Sequence, residues 1–290
     1  MNVHHPYKEP LDLDTIVNLM QINYAVENWE MVLSLSDELM TLAKKIHKEL
    51  VETGTTTHSF KDHIVYYFGY SHLMNGLSYQ KLGEFDKSRE YISFYANLDW
   101  LTDSSETSKY IIESFKFFAS ANELQLDILE GKKERLSEYI EFLDKNTDQA
   151  IPGLINILRS ANKFDYNVDS VVDHLSRNVK DDYAVYTDKV RASQYLSYQY
   201  QLALYNHKKM DHKTAIDITL HILVSADKLS NDKYFKKAVA LFEILRSFGS
   251  ISQLKTCYDI LNNIIMKGDL PNEKGHSFNH HGVGSITAYN

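Results

Sequence analysis

Residues 70–95 read YSHLMNGLSYQKLGEFDKSREYISFY. Within them the small Gly76 precedes Tyr79, a second glycine stands at Gly83, and Phe85, Ser88 and Ile92 follow. Each position has a physical use. Gly83 can take the left-handed conformation that ends a helix, Gly76 and Ser88 are small enough for two helices to approach closely, and Tyr79 and Phe85 can wedge them together. The stretch predicts two antiparallel helices joined by a tight turn.

The same reading extends outward. From Trp29 to Leu50, Val32, Leu35, Leu39, Ala43, Ile46 and Leu50 recur every three or four residues, with Glu30, Ser36, Lys44 and Lys48 between them, which is the pattern of an amphipathic helix. Helices are expected at about 12–25, 29–52, 61–81, 85–98, 106–130, 132–145, 150–163, 167–178, 184–208, 212–228, 232–248 and 251–266. No stretch alternates long enough to argue a strand, and the short connections suit antiparallel neighbours. The fold class is therefore all-α. Turns comparable to Gly83 are expected at Gly131, at Gly249 and at Met210, where a glycine would be the ordinary choice. Their spacing is unequal, so the array is divergent. Residues 1–11 read as an N-terminal extension, 12–266 as the repeat domain, and 267–290 as a flexible tail interrupted by Pro271 and by Gly268, Gly275, Gly282 and Gly284.

Composition agrees. The chain is 43% hydrophobic and 12% aromatic, enough for a continuous core, and its 11 Gly and 4 Pro are too few for a fold of many tight turns. Lys plus Arg number 31 against 39 Asp plus Glu, a net charge of −8, so no direct contact with nucleic acid is expected. The first ten residues lack the charged and apolar regions of a secretory leader and no window is apolar enough to span a membrane, which places the protein in the cytoplasm. The single cysteine, Cys257, reads as a buried thiol at helical spacing among Leu254, Tyr258 and Leu261.

Little points to chemistry. There is no phosphate-binding loop, HExxH or CxxC. Histidines group only in the end segments, His4 with His5 and His276 with His280 and His281, and His58, His63 and His72 read as solvated or core-bonded side chains. No catalytic residue, metal or cofactor is expected. The 20 tyrosines suit packing between thin, half-exposed helical layers.

The spacing of Gly76, Tyr79, Gly83, Phe85, Ser88 and Ile92 resembles that of tetratricopeptide repeats, which implies a right-handed superhelix of stacked antiparallel helix pairs. The wider chain resembles the repeat domains of the Gram-positive peptide-pheromone receptors, the Rap, Rgg, NprR, PlcR and arbitrium-receptor group. That resemblance implies a regulatory, quorum-sensing protein that is not an enzyme and holds a short peptide or protein segment in a concave groove. The effector module these receptors carry at the N-terminus has no counterpart before residue 12. A constitutive protein scaffold is the alternative, as is a Rap-like regulator of response-regulator dephosphorylation, although neither Gln21 nor Gln80 stands in a matching context. A homodimer is compatible with each.

In a tetratricopeptide array the first helix of each pair lines the groove. Counting back from the expected turns places Tyr70, Gln80 and Lys81 inward from Gly83, Phe118, Asn122 and Gln125 from Gly131, Tyr200, His207 and Lys208 from Met210, and Lys236, Glu243 and Arg246 from Gly249. Basic groups there can hold a peptide carboxylate, amides can satisfy an extended backbone, and tyrosines offer an apolar body with a polar tip.

Overall fold

A computed structural model describes residues 11–186 and 188–268. Residues 1–10 of the expected extension and 269–290 of the expected tail lie outside the described residues, while 267 and 268, expected in the tail, are the last residues of the final helix instead. Among the described residues, twelve α-helices and several single 3-10 turns account for the regular structure, and no strand occurs. The chain divides into two compact units, Met1–Leu126 and Asp127–Asn290. Unit 1 holds α1 (Leu13–Ala25), α2 (Trp29–Thr53), α3 (Ile64–Leu82), α4 (Phe85–Ala96) and most of α5 (Glu106–Leu129). Unit 2 holds α6 (Leu136–Lys145), α7 (Ala150–Phe164), α8 (Asp169–Leu175), α9 (Lys189–Lys208), α10 (His212–Lys228), α11 (Asp232–Leu245) and α12 (Ile251–Gly268).

Helix starts are set by side chains that accept otherwise orphaned N–H groups. Asp12 accepts from the Thr15 amide, Asn28 from Met31, Asp188 from Val190 and Arg191, Asp211 from Thr214 and Asn231 from Tyr234. Two expected helices begin late for this reason: His63 caps α3 by accepting from the Val65 amide, and Asp188 holds α9 back from residue 184. The segments 132–135, 176–178 and 246–248 are not α-helical as expected and run largely as 3-10 turns.

One turn geometry recurs where the sequence does not. At Gly83 the amide donates to Gln80 O and the next amide, of Glu84, to Tyr79 O. The same paired bonds form at Glu27, Gly131, Met210 and Ser230, each with positive φ. This double bond satisfies the last carbonyls of the preceding helix. Three of the five turns therefore place a side chain in a conformation that costs about 1–2 kcal/mol outside glycine. Gly249 departs from expectation: its φ of −74° is ordinary, and it ends a 3-10 turn in extended backbone.

In unit 1, α2 and α4 flank α3, and α1 packs on α2. Tyr67, Phe68, Met74 and Leu77 of α3 join Leu35, Leu39, Ile46, Ile92 and Phe115 in one core. Tyr67 also ties chain segments together, donating to Asp14 at 2.6 Å and accepting from the Lys61 and Asp62 amides. The glycine that close packing requires is Gly69, where a Cβ would lie 2.2 Å from the Phe115 ring. At Gly76 a Cβ would make only ordinary contacts, the nearest 3.5 Å away. The expectation for Gly76 is corrected accordingly, while Ser88 does serve the close approach of α3 and α4 by donating to Gly76 O at 2.8 Å.

In unit 2, α10 packs on α9, α11 and α12, α11 reaches back to α9, and α7 packs on α9. The core runs through Tyr195, Leu196, Ala203, Ile216, Leu223, Phe242, Leu245 and Cys257. Cys257 is buried as expected, and burial pushes its thiol pKa up. No helix among the described residues is long and apolar enough to cross a membrane.

Candidate binding face

The expected groove residues of unit 1 are mostly interior. Tyr70, Gln80, Asn122 and Gln125 are buried, Phe118 is half-buried, and only Lys81 is exposed. Tyr70 stacks on Tyr66 with centroids 5.4 Å apart. The Asn122 amide donates to Tyr95 Oη at 2.9 Å, so it is committed to joining α5 to α4. Burial holds the Tyr95 hydroxyl well above its ordinary pKa.

In unit 2 the expected residues are more accessible. Lys208, Lys236, Glu243 and Arg246 are exposed, and Tyr200 and His207 are half-buried. Three already have partners. Lys208 donates to Asn162 O on α7, and Arg246 pairs with Glu243 three residues earlier, at 2.6 Å. Glu243, on the last turn of α11, and Arg246, in the 3-10 turn that follows it, thus form one ion pair.

A cluster that the register count missed lies where α9 and α11 meet. Tyr200 and Tyr234 are edge to face, with centroids 6.3 Å apart. Lys237 Nζ stands 5.2 Å from the Tyr200 ring and 5.3 Å from that of Tyr234, and Lys233 Nζ lies 5.8 Å from Tyr234. A cation above two ring faces gains about 0.5–1 kcal/mol per exposed contact. Burial, then the neighbouring Tyr234, raises the Tyr200 hydroxyl pKa, which keeps that ring a neutral phenol. Lys237 and Lys233 are exposed. Two phenols with cations over them offer flat apolar surface beside positive charge, a combination that can hold an anionic group and the apolar side chain next to it.

The signal for Lys237 was present in the sequence. Lys233, Tyr234 and Lys237 lie at i, i+1 and i+4, and a shift of one residue from Lys236 would have placed Lys237 inward. Gly249 misled the count because it is not the left-handed turn residue from which the register was measured.

Other polar groups at the pair turns are structural in their geometry. His207 Nδ1 and His212 Nδ1 are 3.2 Å apart, and His212 stacks on Phe248 at 3.8 Å. No group of three metal-ligating side chains exists among the described residues. His221 Nε2 meets Tyr195 Oη at 2.7 Å, and Tyr195 donates to Asp181 O, which fastens the segment before α9 to α10. In unit 1, His72 has its pKa pushed down to about 4, first by burial and then by Lys44, and is neutral at pH 7 between Tyr91 and Phe94.

Comparison of the chain with protein-family models, with curated proteins and with solved structures finds no significant match in any of the three.

Proposed function

We propose that this chain is a regulatory helical-repeat protein that binds a short extended peptide, or an extended segment of a protein, along the face shared by α9 and α11. The observation that carries this reading is the Tyr200, Tyr234 and Lys237 cluster, in which the first helices of two successive pairs present aromatic surface and positive charge together. In unit 2 α10 packs against α9, α11 and α12 and α11 reaches back to α9, as neighbours in a helical array do, and in a tetratricopeptide superhelix the first helix of each pair, here α9 and α11, lines the concave groove. The ligand's carboxylate, from an acidic side chain or a C-terminus, meets Lys237, Lys233 and Lys236, and an adjacent apolar side chain lies against Tyr200. The reading assigns no reaction, cofactor or metal. A net charge of −8 opposes nucleic acid as the partner, and the reading places the protein in the cytoplasm, as a sensor of the pheromone-receptor type.

The test is to pan a library of random linear peptides against the full chain and titrate the enriched peptides. The expected outcome is saturable binding of sequences with a carboxylate beside an apolar residue, weakened roughly tenfold or more by Lys237→Glu, the loss of one charged hydrogen bond, with helicity unchanged. Enriched peptides that bind the variant and the parent equally would reject this face.

A scaffold reading draws on a separate observation, the apolar residues that α12 exposes.

A further inference from the structure

α12 docks on unit 2 by one side only. Gln253 donates to Lys213 O at 3.1 Å and to Asp217 Oδ1 at 2.7 Å on α10, and Cys257, one turn on, is buried in the core. Ile260 continues this inner stripe, partly buried against the same core. On the opposite side Ile251, Tyr258 and Ile265 recur every seven residues and are 88%, 68% and 66% exposed. Leu254 and Leu261, half-buried, pack against the core and separate the two sides. The seven-residue repeat of Ile251, Tyr258 and Ile265 keeps them on one line along the helix, the spacing by which one helix packs against another. No charge interrupts it.

We propose that this stripe is the interface between two copies of the chain, joined by antiparallel pairing of their α12 helices about a two-fold axis near Tyr258. Three features favour a second copy. The stripe is symmetric about Tyr258, with an isoleucine seven residues to either side, so it is complementary to itself in the antiparallel sense that a two-fold interface requires. Lys255 and Asp259 lie on one border of the stripe, and antiparallel pairing brings each Lys255 toward the border that carries the other copy's Asp259. Ile251, Tyr258 and Ile265, with the 61% exposed Met266 beside them, leave mainly apolar side-chain surface for the other copy to cover. The inference stands apart from the peptide-binding reading, since α12 contributes nothing to the α9 and α11 cluster.

The experiment measures the mass of the full chain by light scattering after size exclusion over a hundredfold range of concentration. The expected result is twice 33.6 kDa at the upper end, dissociating on dilution. Ile251→Glu with Tyr258→Glu should raise the dissociation constant at least tenfold without loss of helicity, while Tyr110→Glu, at an equally exposed tyrosine of α5, should not. Should the double variant misfold, Tyr258→Cys gives a second readout: mild oxidation should link two chains through residue 258, whereas Tyr110→Cys should stay unlinked. A mass of 33.6 kDa at every concentration overturns the proposal. So does a dimer indifferent to the α12 charges, or one that forms only when the chain is cut after Gly268, which would assign the stripe to residues 269–290.

Discussion

α3 and α12 are nearly equal in length, 19 and 18 residues, yet they meet solvent in opposite ways. α3 buries thirteen of its nineteen residues, so it has no outer face, and its sequence shows little one-sidedness. It lies between α2 and α4, with Phe115 of α5 pressed against Gly69. α12 is one-sided, buries Gln253 and Cys257, and leaves Ile251, Tyr258 and Ile265 outside. Amphipathicity therefore reports how many neighbours a helix has, and a row of exposed apolar residues along one line of a helix offers a face for a further one.

The contrast can be broken most sharply by truncation. Phe68→Ala in α3, at a ring 2% exposed, should cost about 3–5 kcal/mol in urea unfolding. Ile265→Ala in α12, at a dilution where chains are single, should change stability by less than about 0.5 kcal/mol. Equal costs would mean that α12 is covered within the chain.

Acid should act on the interior of α3 as well. His72 has a folded pKa of about 4 against an ordinary 6.5, so between those values the unfolded chain binds more protons and stability rises with pH. Lowering the pH from 6.5 to 4 should therefore remove about 2 kcal/mol, after a discount for partial solvent contact. His72→Phe, which suits the rings of Tyr91 and Phe94, should flatten that part of the profile. An unchanged acid slope would place the sensitivity elsewhere, with His221, whose pKa burial also lowers, as the first group to examine.

Two backbone substitutions sharpen the comparison further. Gly69→Ala should destabilise by about 1–2 kcal/mol net, because overpacking against Phe115 exceeds the gain in helix propensity, whereas Gly76→Ala should stabilise by about 0.5–1 kcal/mol. An effect of similar size is expected at Met210, where φ is 64° on a largely exposed side chain. Met210→Gly should raise the melting temperature by a few degrees, equivalent to about 1 kcal/mol. A drop would show that the methionine side chain contributes more than its backbone strain removes.

Most helices were legible in the sequence because their periodicity is local. α2, α10 and α11 start where expected, and Gly83 and Gly131 take the left-handed turns assigned to them. What escaped depends on distant neighbours or on backbone choices that side chains do not announce. Glu27 and Ser230 adopt the Gly83 geometry with no glycine to signal it. Asn122 looked like a free amide on a groove, but its partner Tyr95 is 27 positions away. Gln80 and Gln125 are buried by elements whose placement no spacing reveals. Lys237 was missed by one position because the last turn, at Gly249, has a geometry different from the others.

The central claim, that α9 and α11 together form a peptide-binding face, is tested most directly by placing a photoreactive phenylalanine analogue at position 200 and irradiating the full chain with a library-enriched peptide. The cluster geometry predicts a cross-link from position 200 that unlabelled peptide suppresses, with none from the same probe at position 258 on α12. A cross-link from position 258 with position 200 silent would contradict it.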